Sequence, residues 1–137
     1  MNGAKKMSAI AGIYNKKNEH VSGEHIHLMM NKFQQFPADD IQVFTMDHIF
    51  MGCHAQWITP ESIGEKLPYY DPKRQLVITA DAIIDNRIEL MSKLKIDARD
   101  RKDMTDSQLI LLAYEKWQEE TPKYLIGDFA FVIWDKT

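Results

Sequence analysis

The chain of 137 residues is 45% hydrophobic and 27% charged, with a net charge of −3 and a single cysteine. That length suits one domain with its own core, and the mild acidity leaves no electrostatic footprint for nucleic acid or an anionic membrane. One cysteine excludes an intrachain disulfide framework and makes a reducing, cytoplasmic setting the expectation, while no run approaches the roughly 18 apolar residues of a membrane span.

Lys5-Lys6 ahead of Met7 to Tyr14 imitates a secretory signal. Almost no apolar core precedes Ala9 and Ala11, so a signal peptide is rejected. Residues 1–6 are read as a leader or tag and residues 7–137 as one domain. Met7 to Tyr14 itself reads as a buried strand: Ser8, Ala9, Ala11 and Gly12 permit close backbone approach, and Ile10, Ile13 and Tyr14 supply bulk.

Ser22 is placed to cap a helix that carries Ile26, Met29, Met30 and Phe33 on one buried face and stops by Pro37. His25 and His27 diverge around such a helix and form no metal site. Ile41 to Thr45 and Ile49 to Gln56 read as a hairpin about Met46-Asp47-His48. Cys53 and His54 are neighbours on its second strand, so they point to opposite faces and cannot form a nucleophilic pair; Cys53 reads as a buried inert thiol.

Pro60 to Pro72 reads as an extended loop ending in the turn Tyr70-Asp71-Pro72-Lys73, followed by a strand from Gln75 to Ala80. Asp85 then caps a helix over 86–94 with Ile88, Met91 and Leu94 inward, and Arg99 to Asp103 is a solvated mixed-charge loop. Thr105-Asp106-Ser107-Gln108 is a capping box, backed by a stripe of Leu109, Leu112, Ala113 and Trp117. Phe129 to Trp134 is a strand too continuously apolar to be half-exposed. The glycines form neither a Walker-type loop nor a dinucleotide fingerprint.

Four stretches in order resemble the class II glutamine amidotransferase domain of glutamine-dependent asparagine synthetases. They are Met7-Ser8-Ala9-Ile10-Ala11-Gly12-Ile13, the run from Asp81 to Leu90, Thr105 to Leu111, and Leu125 to Asp135. In that family the matching segments are Met-Cys-Gly-Ile-x-Gly, Asn-Gly-Glu-Ile-Tyr-Asn, Ser-Asp-x-Glu and Gly-x-Phe-Ala-Phe-x-x-x-Asp. The resemblance implies an α+β fold, an N-terminal-nucleophile hydrolase-like sandwich of two antiparallel sheets flanked by helices, truncated at its C-terminal end.

It also implies site residues, and most depart from the family pattern. The nucleophilic Cys, whose own α-amine serves as base, matches Ser8, a weaker nucleophile that lacks a free amine unless residues 1–7 are removed. The oxyanion-hole Asn and Gly match Asp81 and Ala82, and an ionised Asp81 would repel the developing negative charge. The Arg that holds the glutamine carboxylate matches Gln56, which cannot form the bidentate pair. Asp106 matches the aspartate that receives the substrate ammonium, and it equally suits the first turn of a helix.

The form from Ala80 to Leu90 resembles most the relatives that close amide or lactam rings, β-lactam synthetases and lasso-peptide cyclases. The resemblance therefore implies a domain with a degenerate glutamine pocket that scaffolds an ATP-dependent amide-forming ligase. The chain itself is expected to need no cofactor; ATP and Mg belong to a C-terminal synthetase domain whose Ser-Gly-Gly-x-Asp-Ser loop does not occur in it. That domain or a partner peptide is the expected partner, and an unpaired sheet edge implies a homo-oligomer. Two alternatives stand: an amidohydrolase using Ser8 after processing, and a stand-alone peptide- or protein-binding module.

Overall fold

A computed structural model describes residues 7–137; the leader assigned to residues 1–6 lies outside the described residues. Six strands form two three-stranded antiparallel sheets. The first has the order β1 (Ala9–Tyr14), β3 (Ile49–Ala55), β2 (Asp40–Met46), and the second β4 (Tyr69–Asp71), β5 (Leu76–Ile84), β6 (Gly127–Asp135). Helix α1 (Gly23–Asn31) lies against the first sheet, α4 (Asp106–Trp117) against the second, and the short α2 (Arg87–Lys93) and α3 (Ala98–Arg101) connect β5 to α4. This is the expected sandwich of two sheets between helices.

The central strands carry the core. All of β3 is buried, because its two faces meet different partners. Phe50, Gly52 and His54 face α1 and the turn that follows it, where Met30 sits over Gly52, filling the space that a side chain there would need, and the rings of Phe33 and His54 lie 5.5 Å apart. Met51 and Cys53 face inward, where Val77 and Thr79 of β5 meet them. The period of two thus separates Cys53 from His54, and burial pushes the Cys53 thiol up to about 12.

On its other face β5 packs Leu76, Ile78 and Ala80 against Leu90, Ile110 and Leu111. Helix α4 begins where the capping box places it. The Thr105 hydroxyl accepts from the Gln108 amide at 3.2 Å, and the Gln108 side chain accepts from the Thr105 amide at 3.0 Å.

Several local expectations are corrected. Strand β5 runs on to Ile84, so Asp81 and Ala82 are strand residues paired with Ala130 and Phe129. Tyr69 to Asp71 is a strand, with the turn after it. Asn86, not Asp85, occupies the cap of α2, and Ile88 points outward at 78% exposure while Leu90 and Met91 are buried. Arg99 and Arg101 belong to a helical turn. Helix α4 buries Ile110 and Leu111 in addition to Leu109 and Ala113, a wider face than the stripe through Leu112 predicts. Helix α1 covers its sheet thinly, with Leu28 and Met29 exposed.

Strand β6 is half-exposed after all. Asp128, Ala130 and Val132 face outward between Phe129, Phe131 and Ile133, because β6 is the edge of its sheet and its second face has no layer over it among the described residues. Gly127 starts this strand at φ +146°, and any Cβ there would overlap the Ile83 carbonyl oxygen.

Candidate active site

Register brings the sequence-read residues together. Ala9 pairs with His54, so Ser8, one residue before β1, lies level with the exit of β3, and the Gln56 amide donates to the Ser8 hydroxyl at 2.9 Å. Across the sandwich, Asp81 shares the inward face of β5 with Val77 and Thr79. Its Oδ1 accepts from the Ser8 backbone nitrogen at 2.9 Å. Ser8, Gln56, Asp81 and Ala82 line a cavity of about 20 Å³. That is room for roughly one water molecule, far less than a glutamine side chain needs.

The side chain of Gln56 is turned away and donates to the Pro37 carbonyl at 3.0 Å. Asp106 does not line the cavity; its neighbour Ser107 does. At 6% exposure, Asp106 accepts from the Ile84 amide at 3.2 Å and forms an ion pair with Arg87. Arg87 also donates to the Met104 carbonyl and lies 3.7 Å from Glu61. Burial pushes the Asp106 carboxyl up, and the Ile84 amide and Arg87 oppose this.

Several lining residues, among them Ile58, Thr59, Ser62, Glu65 and Leu67, escaped the sequence reading. Ile58 sits on a connection with no periodic signal. Glu65 follows Gly64, which turns the chain at φ +84°, and nothing in a Gly-Glu-Lys loop marks its glutamate as inward. Desolvation pushes the Glu65 carboxyl up, opposed by the hydroxyls of Thr105 and Ser107, and its Oε2 is buried without a hydrogen bond. The cavity is thus walled by two carboxyl groups and several hydroxyls. Among the described residues no cluster of His, Cys, Asp and Glu could hold a metal ion, and no helix is long and apolar enough to cross a membrane.

A larger cleft of about 570 Å³ between α3 and α4 contains none of the candidate site residues Ser8, Gln56, Asp81, Ala82 and Asp106. Its one guanidinium, Arg74, is already held by Asp71 and Glu115 at 2.9 Å each.

The arrangement of strands and helices is consistent with two comparisons. The chain is similar to asparagine synthetase (glutamine-hydrolyzing) 1 of Bacillus subtilis (strain 168), with 27% identity over 134 residues, which are 95% of this chain and 21% of that protein. The chain therefore spans about a fifth of that relative's length. The family model of the glutamine amidotransferase domain matches residues 7–137, and the chain belongs to that family, as an amidotransferase domain of the asparagine-synthetase kind.

Proposed function

We propose that this domain has lost glutamine hydrolysis and serves as the scaffold of an ATP-dependent, amide-forming ligase. The observation that carries the reading is the contact from the Ser8 nitrogen to Asp81. In glutamine hydrolysis by this family, that nitrogen has to be a neutral amine that takes the proton of the attacking hydroxyl. In the chain as it stands it is an amide with no such basicity. Were Ser8 the first residue, a carboxylate 2.9 Å away would favour the ammonium form, which cannot accept a proton.

Three further features support the same reading. The cavity admits about one water, and the Gln56 side chain is committed to Pro37. In the resemblance Asp81 takes the place of a neutral oxyanion donor, which would contribute roughly 3 kcal/mol. ATP and Mg would be held by a separate synthetase unit, as in the ring-closing relatives, and the setting would be cytoplasmic. Self-association through the edge of β6 belongs to the proposal, and sedimentation at rising concentration tests it.

Calorimetric titration with glutamine tests the loss of the pocket. No heat at millimolar glutamine is expected, whereas saturable binding would contradict it. The second reading, a hydrolase using Ser8, draws on the ordered hydroxyl of Ser8, which the Gln56 amide holds at the cavity wall. It requires a free Ser8 amine.

A further inference from the structure

Four isoleucines are exposed on the segment that lines the candidate site and on the segments in contact with it: Ile58 at 37%, Ile63 at 70%, Ile88 at 78% and Ile126 at 60%. They come from three separate parts of the chain, and specific contacts hold those parts side by side. Ile58 lines the cavity with Asp81 and Ile83. Glu61, between Ile58 and Ile63, lies 3.7 Å from Arg87, the residue before Ile88. Asn86 accepts from the Ile126 amide at 3.0 Å, and the Asp85 amide donates to the Ile126 carbonyl at 2.7 Å. The end of β5 and the start of β6 thus gather a collar of branched apolar side chains at one end of the sandwich. Single exposed isoleucines are ordinary, but several gathered around one site mark an interaction surface.

The surface is also acidic. Asp85 and Asp128 are exposed there and belong to no ion pair among the described residues, while the nearby Arg87 is engaged by Asp106 and Glu61. The cavity beneath, at about 20 Å³, holds no small molecule of useful size, so the occupant has to lie across the collar and not inside it.

We infer that this end of the sandwich is a docking surface for a protein segment that is apolar and flanked by basic side chains. The inference rests on the scaffold reading and names the surface through which the scaffold works. Burying the isoleucines supplies the affinity, and the two carboxylates favour lysine or arginine and disfavour acidic partners.

The test uses the whole chain and a fluorescein-labelled peptide of alternating leucine and lysine, read by anisotropy, with a leucine/glutamate peptide as control. Saturable binding of the basic peptide, weakened by salt and absent for the acidic one, is expected. Ile63→Ser, Ile88→Ser and Ile126→Ser combined should weaken it at least tenfold, and Val132→Ser, exposed elsewhere on β6, should not. Should the triple variant lose its thermal transition, Asp85→Asn with Asp128→Asn serves instead and should weaken binding severalfold at low salt. Three results would overturn the inference: no saturable binding, equal binding of the acidic peptide, or a collar-dependent dimer in sedimentation. Glutamine hydrolysis reports on the pocket alone, so the scaffold reading can fail without this surface failing with it.

Discussion

The Ser8 backbone nitrogen and the Asp81 carboxylate, 2.9 Å apart, join the entry of one sheet to the central strand of the other. The contact is partly buried, and its loss leaves a donor without a partner. Asp81→Ala is expected to cost about 1–2 kcal/mol in urea unfolding. Asp81→Asn keeps an acceptor oxygen and should cost less than half as much.

Arg87 and Asp106 form a pair in which the aspartate is almost wholly buried. Arg87→Met strands that carboxylate and is expected to cost roughly 3 kcal/mol. Adding Asp106→Asn in the same chain should recover part of this. Chemical denaturation of the single and double variants checks it, and additive losses would contradict a coupled pair.

Glu65 makes stability depend on pH. Desolvation raises its folded pKa above the ordinary glutamate value, so the folded state holds the proton more tightly than the unfolded chain. Stability from this group therefore falls as pH rises through the interval between the ordinary and the raised value. Glu65→Gln should raise the melting temperature at pH 7 and change it little at pH 4, as thermal scans at the two pH values would record.

Cys53 has no exposed surface, and its thiol is pushed up to about 12, by burial above all. Native protein should resist alkylation by iodoacetamide at pH 8 and react fully in denaturant, which mass spectrometry reads directly. Fast native labelling would mean that β3 is not the closed centre of its sheet.

Among the described glycines, Gly127 is the one least open to change, at φ +146° with the Ile83 carbonyl against it. Gly127→Ala would place a methyl group against the Ile83 carbonyl at a φ that other residues rarely adopt, with an expected cost of roughly 3 kcal/mol. A melting temperature within a degree of the parent would contradict the close crossing of β5 and β6.

Much of the fold was legible because it rests on local chemistry. The capping box before α4 and the hairpin of β2 and β3 each depend on neighbouring residues, and the structure has them where the sequence put them, whereas β1, expected to be a buried strand, has no fully buried residue and leaves Tyr14 exposed. Exposure was less legible. Phe129 to Trp134 is apolar throughout, yet an edge strand buries only the face that its neighbours cover, and no sequence period announces an edge. Ile88 lies in the first turn of a short helix, too short for periodicity to fix its face, and it points outward. Within the candidate site, Ser8, Gln56, Asp81 and Ala82 were found through resemblance to a family. Glu65 was not, because only the tertiary fold turns its loop inward.

Ammonia release from glutamine tests the central claim most directly. It should be measured on the 137-residue chain and on a version beginning at Ser8, each with its N-terminus mapped by mass spectrometry. Loss of the glutaminase means no turnover in either. Turnover that appears only with a free Ser8 amine, and vanishes in Ser8→Ala, would contradict it and make the domain a processed amidohydrolase.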